Sequence, residues 1–176
     1  MLLKKIPLAI VLIAGFMPGA ASADDAVTPE EVIAKVREAA AVLGKEGRAG
    51  LAAFEGEGSP FIWKDTYVFV LDCAADVIAA HAVPASRGVK ISSLKDADGK
   101  FYGASMCDAA KAPAGSWTEY VWPKPVAGAD GAVVYSKEAY RKVSYLHSVE
   151  GQPWQVGAGI YNDPMSLGEL DALVPK

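Results

Sequence analysis

The chain has 176 residues, 52% of them hydrophobic, with 17 Lys and Arg against 21 Asp and Glu. That suits one domain with a real core, and an acidic balance without basic clusters argues against nucleic acid or anionic lipid as partners. Two of the 17 basic residues, Lys4 and Lys5, lie in the leader described next; without them 15 basic residues face 21 acidic ones, a net charge of −6.

Residues 1–23 read as a secretory signal peptide. Lys4 and Lys5 form a basic start, an apolar run extends from Ile6 to Phe16, and Ala21-Ser22-Ala23 matches an A-x-A cleavage site. The run is too short to span a bilayer comfortably, and no Cys follows it to carry a lipid. The expected product begins at Asp24 and is periplasmic or secreted, without stable membrane insertion.

Thr28-Pro29-Glu30-Glu31 opens a helix, with Thr28 as N-cap, Pro29 at the first helical position and Glu31 closing a capping box. Val32, Val36, Ala39, Ala40 and Leu43 then recur at helical spacing. Gly44, Gly47 and Gly50 loosen the later turns, the pattern resumes through Leu51 and Phe54, and Gly56–Pro60 breaks it. Short strands follow. TYVFVLD (66–72) is rich in aromatic and β-branched residues, and VIAAHAV (77–83) reads as its returning partner. After a long polar stretch, FYGASMCDAAK (101–111) predicts a short helix. WTEYVW (117–122), VSYLHSV (143–149) and WQVGAGIY (154–161) predict three more strands, and SLGELDALV near the end a last short helix. One long helix followed by a run of strands indicates an α+β layer fold with an antiparallel sheet of about five strands.

Cys73 and Cys107 are the two cysteines of the chain. In an exported protein an even pair reads as a disulfide, the alternative being two buried thiols packed as small hydrophobes. The expectation here is the bridge, tying the first hairpin to the crossover helix.

Six blocks in order carry a family resemblance: TYVFVLD (66–72), AAHAVP (79–84), LKDADGKFY (94–102), WTEYVWPKP (117–125), KVSYLHSV (142–149) and WQVGAGIY (154–161). Together they make the chain similar to the single Cache domains, extracellular relatives of the PAS sheet that sense small molecules. The resemblance covers nearly all of residues 24–176 and implies a PAS-like sheet with the long helix on one face and a ligand on the other. Such domains usually belong to chemoreceptors or kinases. Here the reading is a free-standing secreted version, since neither a second membrane segment nor an output domain is legible in the chain. Family members often show His-Pro at the end of the second strand, whereas Ala82 and Val83 separate His81 from Pro84 here.

Alternation along a strand places Tyr120 and Trp122 on one face with Thr118, and Trp117, Glu119 and Val121 on the other. Tyr120 and Trp122 then either wall a pocket or pack as core; the resemblance implies the pocket. Tyr67 and Phe69 likewise share a face. A small carboxylate needs cationic or N–H and O–H donors at close range, and His81, Lys142 and Tyr145 supply them with Tyr120. The candidate ligand set is therefore Tyr67, Phe69, His81, Tyr120, Trp122, Lys142 and Tyr145, with the segment 84–105 capping the site.

No cofactor or metal is expected. His81 and His147 lack ligand spacing, and DADGK (96–100) lacks the late Glu of a calcium loop and reads as a turn. No nucleophile elbow and no C-x-x-C appear, and Gly157 and Gly159 do not follow a phosphate-loop pattern; they let a strand face accept close packing. The function expected is binding or sensing of a small organic ligand without catalysis. The alternative is a structural or interaction protein that docks a membrane receptor or an enzyme subunit.

Overall fold

The computed structural model describes residues 26–56, 58–128 and 132–176; the expected signal peptide over 1–23 lies outside the described residues. Thr28 caps the first helix, α1 (Pro29–Glu46), with its hydroxyl accepting from Glu31 N–H at 3.2 Å while the Glu31 carboxylate accepts from Thr28 N–H. Val32, Ile33, Val36, Ala39 and Leu43 form its buried stripe. At Gly47 the backbone takes φ 57°, which ends the α-helix, and Gly47–Phe54 continues as tighter 3-10 turns that bury Phe54.

The strands are β1 (Ile62–Trp63), β2 (Thr66–Asp72), β3 (Val77–Ala80), β4 (Ser116–Ala127), β5 (Val133–Ser148) and β6 (Gln155–Tyr161). All pair antiparallel in the order β1-β2-β6-β5-β4, with β3 on the outer edge of β2 beside β1. Helix α2 (Gly103–Ala110) bridges β3 to β4, and α3 (Leu167–Ala172) closes the chain behind a second capping box, Ser166 with Glu169. This is the expected α+β, PAS-like architecture, with six strands rather than about five.

Both faces of the sheet are covered, so β2 shows no polar alternation: its first six residues, Thr66 to Leu71, are all buried. On the α1 face, register aligns Val68, Ala158, Tyr145 and Trp117 in one row across four strands, and these pack against the helix stripe. On the other face Tyr67, Phe69, Leu71, Tyr120 and Leu146 form a second cluster with Ile78, Ile91, Leu94, Tyr102 and Met106 from the crossover.

Several boundaries differ from the expectation. The second strand ends at Ala80, so His81 sits just beyond it. The strands expected over 117–122 and 143–149 form a much longer ribbon, 116–127 paired with 133–148. Pro123 and Pro125 continue β4: among the described residues this edge strand pairs only with β5, a position where a missing N–H is tolerated, and the register shifts between the two prolines. The outer free edge of β4 is covered instead by the 96–100 turn. Asp96 accepts from the N–H groups of Asp98 and Lys100 with one oxygen and from Val121 N–H with the other, and Ala97 N–H donates to Val121 O at 3.2 Å. The crossover is pinned at its other end by the Cys73–Cys107 disulfide, whose Cα atoms lie 6.0 Å apart.

Candidate functional site

A cavity of about 540 Å³ lies on the sheet face opposite α1, between the strands, the 78–106 crossover and the outer part of the β4–β5 ribbon. Tyr67, Phe69, His81, Tyr120 and Trp122 of the expected set line it. Alternation places them there: Tyr67 and Phe69 rise from β2 on the face away from Val68 and Val70, and Tyr120 and Trp122 from β4 on the face away from Trp117. The stretch WTEYVWPKP is thus both core and pocket wall. Trp117 lies 5.6 Å from the Tyr145 ring on the helix side, and Trp122 faces the cavity.

Tyr145 is a correction. It belongs to the opposite face, fully buried against α1 with its hydroxyl donating to Ala114 O. Lys142 and Tyr145 are three residues apart on one strand, an odd number, so alternation sends them to opposite faces and only Lys142 can serve this one. His147 is also on the helix side, beside Arg37. Among the described residues no group of three His, Cys, Asp or Glu is placed to hold a metal.

Lys142 lies behind the lining and is fully buried. Its neighbours across β6 and β4 are Tyr161 and Tyr120. The side chain crosses β6 over Gly159, which puts Nζ 4.3 Å from the Tyr67 ring centre and 4.8 Å from that of Tyr161. Nζ has no hydrogen-bond acceptor among the described residues. Burial pulls its pKa down to about 7, opposed by attraction from Asp65, whose own carboxylate is held by Lys124 at 2.7 Å.

Lys95, Lys137 and Asp96 bring charge to the rim of the lining, and the aromatic polar groups are neutral. Burial, then the charge of Lys142, drives His81 down to about 3. Its Nδ1 accepts from Val83 N–H at 2.9 Å, so the neutral ring carries its proton on Nε2, 3.2 Å from the Tyr135 hydroxyl. Tyr135 also lies 3.0 Å from Ser86 Oγ, linking the ribbon to the crossover. Burial holds the phenols of Tyr67, Tyr102 and Tyr120 well above their ordinary range, so each keeps its O–H at neutral pH. The Tyr120 hydroxyl pairs with Ser144 Oγ at 2.9 Å.

Sequence reasoning missed Tyr102 and Tyr135. The Tyr102 ring stacks on Tyr120 at 4.2 Å and 7°, and Trp122 stands nearly perpendicular to Tyr135 at 5.5 Å. Val133-Val134-Tyr135 is a β-branched and aromatic run that marks a strand, but the charged residues that follow it obscured the signal.

A PAS-like sheet with its long helix on one face and a polar-tipped aromatic cavity on the other defines a ligand-binding sensor-type domain. The chain belongs to the Cache domain family, whose family model matches residues 61–166. Among solved structures it resembles a methyl-accepting chemotaxis protein from Vibrio parahaemolyticus, at 24% identity over 76% of this chain and 88% of that one, with a TM-score of 0.54. It also resembles a Cache chemosensory domain described for carboxylic acid recognition, at 24% identity over 76% and 92%, TM-score 0.55. A periplasmic sensor domain of a chemotaxis protein aligns at 23% identity over 77% and 90%, TM-score 0.51. No curated protein matches the chain. Among the described residues no helix is long and apolar enough to cross a membrane.

Proposed function

We propose that this chain is an exported sensory module that binds a small organic acid in the 540 Å³ cavity and performs no chemistry on it. Residues 1–23 act as a cleaved signal peptide and 24–176 as the single Cache domain, working in the periplasm or outside the cell. Tyr67, Phe69, His81, Tyr120 and Trp122 contact the ligand, Lys142 supplies charge, and the crossover caps the site over a rigid sheet.

The carrying observation is Lys142. Among the described residues it is the only buried Lys or Arg, and it has no acceptor. An uncompensated buried ammonium is costly, and a bound carboxylate next to the neutral phenol donors supplies the missing negative charge. The carboxylic acid recognised by the similar Cache chemosensory domain agrees with this reading. A second reading, docking to a membrane receptor or enzyme subunit, rests on Val126 and Val134, directly paired across the ribbon and both exposed. It is compatible with the first, since a sensor needs an output.

Calorimetric titration of residues 24–176 with carboxylates and their neutral amides tests the proposal. Acids should bind and amides should not, and Lys142→Met should weaken the acids. Equal binding of an acid and its amide would overturn it.

A further inference from the structure

Resting on the acid reading above, we infer that the cognate ligand is a monocarboxylate with an aromatic body, an arylalkanoic acid, rather than an acid of two to four carbons. The cavity decides the size. About 540 Å³ falls within the roughly 300–1,000 Å³ of pockets that take ligands well above the size of acetate. An acetate- or pyruvate-sized ligand would leave most of that space wet.

The wall left wet would be apolar. Leu71, Ile78, Leu94 and Met106 supply aliphatic surface to the lining, and Tyr102 and Trp122 supply rings. Covering apolar surface is where most of the binding free energy of such a pocket lies. Tyr67, Tyr102 and Tyr120 are already buried, whereas Trp122 and Tyr135 are half-buried and retain ring surface to be covered. Trp122 meets Tyr102 at 63° and Tyr135 at 88°, so both faces and edges of rings are presented. A planar aromatic group answers both with stacked and edge-to-face contacts.

Aromatic-lined sites also take quaternary ammonium ions, and the charges here argue against that. The Lys142 ammonium lies over Tyr67 and Phe69 at 4.3 and 5.8 Å, so those two ring faces already have a cation, and its positive charge repels a second one nearby. Asp96, the carboxylate of the lining, accepts from the backbone N–H groups of Asp98, Lys100 and Val121, with both oxygens engaged. No free carboxylate among the lining residues is left for an amine. Lys95 and Lys137 of the lining are exposed, so Lys142, buried behind it, is the one buried cation near the cavity among the described residues; it calls for one carboxylate, with the ring lying against Trp122.

The test is calorimetric titration of residues 24–176 with phenylacetate, octanoate, acetate, pyruvate, phenylacetamide and benzyltrimethylammonium. Phenylacetate should bind at least about 30-fold more tightly than acetate or pyruvate, the value of covering one ring's worth of apolar surface, and more tightly than octanoate. Trp122→Leu should erase that preference; Trp122→Phe, which keeps a ring, should retain it and serves if the leucine variant fails to fold. Acetate or pyruvate binding as tightly as phenylacetate would overturn the inference and leave the acid reading standing. Octanoate matching phenylacetate would overturn the aromatic part. Phenylacetamide equal to phenylacetate, or tight binding of the ammonium probe, would overturn both readings.

Discussion

Lys142 reaches the rings of Tyr67 and Phe69 because residue 159 has no side chain: a Cβ on Gly159 would stand 2.6 Å from Lys142 Cε and 2.7 Å from Val143 O. It would also overlap Ser144 Oγ. Gly159 faces the pocket side of β6, between β2 and β5, and the lysine lies in the gap it leaves. Gly159→Ala should therefore displace the ammonium. Overpacking against backbone costs about 1–3 kcal/mol, so the midpoint of denaturant unfolding should fall, and acid affinity should fall at least tenfold in protein that remains folded. Normal affinity in the folded variant would show that the position of Lys142 is irrelevant to binding.

The same lysine sets a pH dependence of stability. Its folded pKa, about 7, is below its ordinary 10.5. Between those values the unfolded chain binds more protons than the folded one, so stability rises with pH across the window. Below pH 7 both states are charged and the full cost of burying the ammonium is present. Each pH unit of separation corresponds to about 1.4 kcal/mol. His81, about 3 folded against 6.5 ordinarily, makes stability fall as pH drops from 6.5 through 3. The raised tyrosines make it fall again above their ordinary value of 10. Urea midpoints of the ligand-free protein should rise between pH 7 and 10, and Lys142→Met should flatten that rise and be the more stable protein at pH 6. A variant with the wild-type slope would refute the assignment.

Binding an acid should restore the proton. A carboxylate near Lys142 favours the charged amine, so its pKa rises on binding and the complex takes up a fraction of a proton at pH 7.5 to 8. Titrations in buffers of different ionisation enthalpy should show this uptake for phenylacetate or any acid that binds, with none in Lys142→Met. No buffer dependence in the wild-type protein would place the carboxylate away from the lysine.

The disulfide is a separate prediction. It spans a sequence separation of 34 residues, for which loop-closure entropy predicts roughly 3–4 kcal/mol of stability. The Cys73→Ser, Cys107→Ser double variant should lose about that much, and the crossover, pinned at Cys107, should exchange its amide hydrogens faster. Unchanged stability, or two titratable thiols in the denatured, unreduced wild-type protein, would count against it.

How far the sequence carried varies by element, for physical reasons. TYVFVLD was legible as β2 to the residue because β-branched and aromatic side chains fill a strand buried on both faces. The Thr28–Glu31 capping box was legible because both partners lie within one turn. Alternation alone separated Trp117 from Trp122, and it also excludes placing Lys142 and Tyr145 in one pocket. What it does not provide is which face of β5 meets which face of β2; that depends on pairings such as Lys142 with Tyr161, far apart in sequence. Tyr135 was hidden for a related reason: its strand lies in a ribbon outside the core, where Lys137 and Glu138 are exposed and no buried stripe marks the period.

Trp117 and Trp122 give the last prediction, since one strand presents them to different environments. Trp117 is buried against α1 and Tyr145, and its replacement by Ala removes a large side chain from a core that cannot refill the space. The expected loss is about 3–5 kcal/mol of stability. Trp122 is half-buried at the cavity, so Trp122→Ala should cost less stability. Its ring belongs to the ligand contact, however, and truncating such an anchor costs roughly 2–4 kcal/mol of affinity, about 30- to 1000-fold. Melting each variant without ligand and titrating each with phenylacetate, or with the tightest acid of the panel, separates the roles. Trp117→Ala should melt early and, where still folded, bind nearly normally, while Trp122→Ala should melt close to wild type and bind poorly. If Trp122→Ala binds normally and melts early, Trp122 is core and the cavity is not the ligand site.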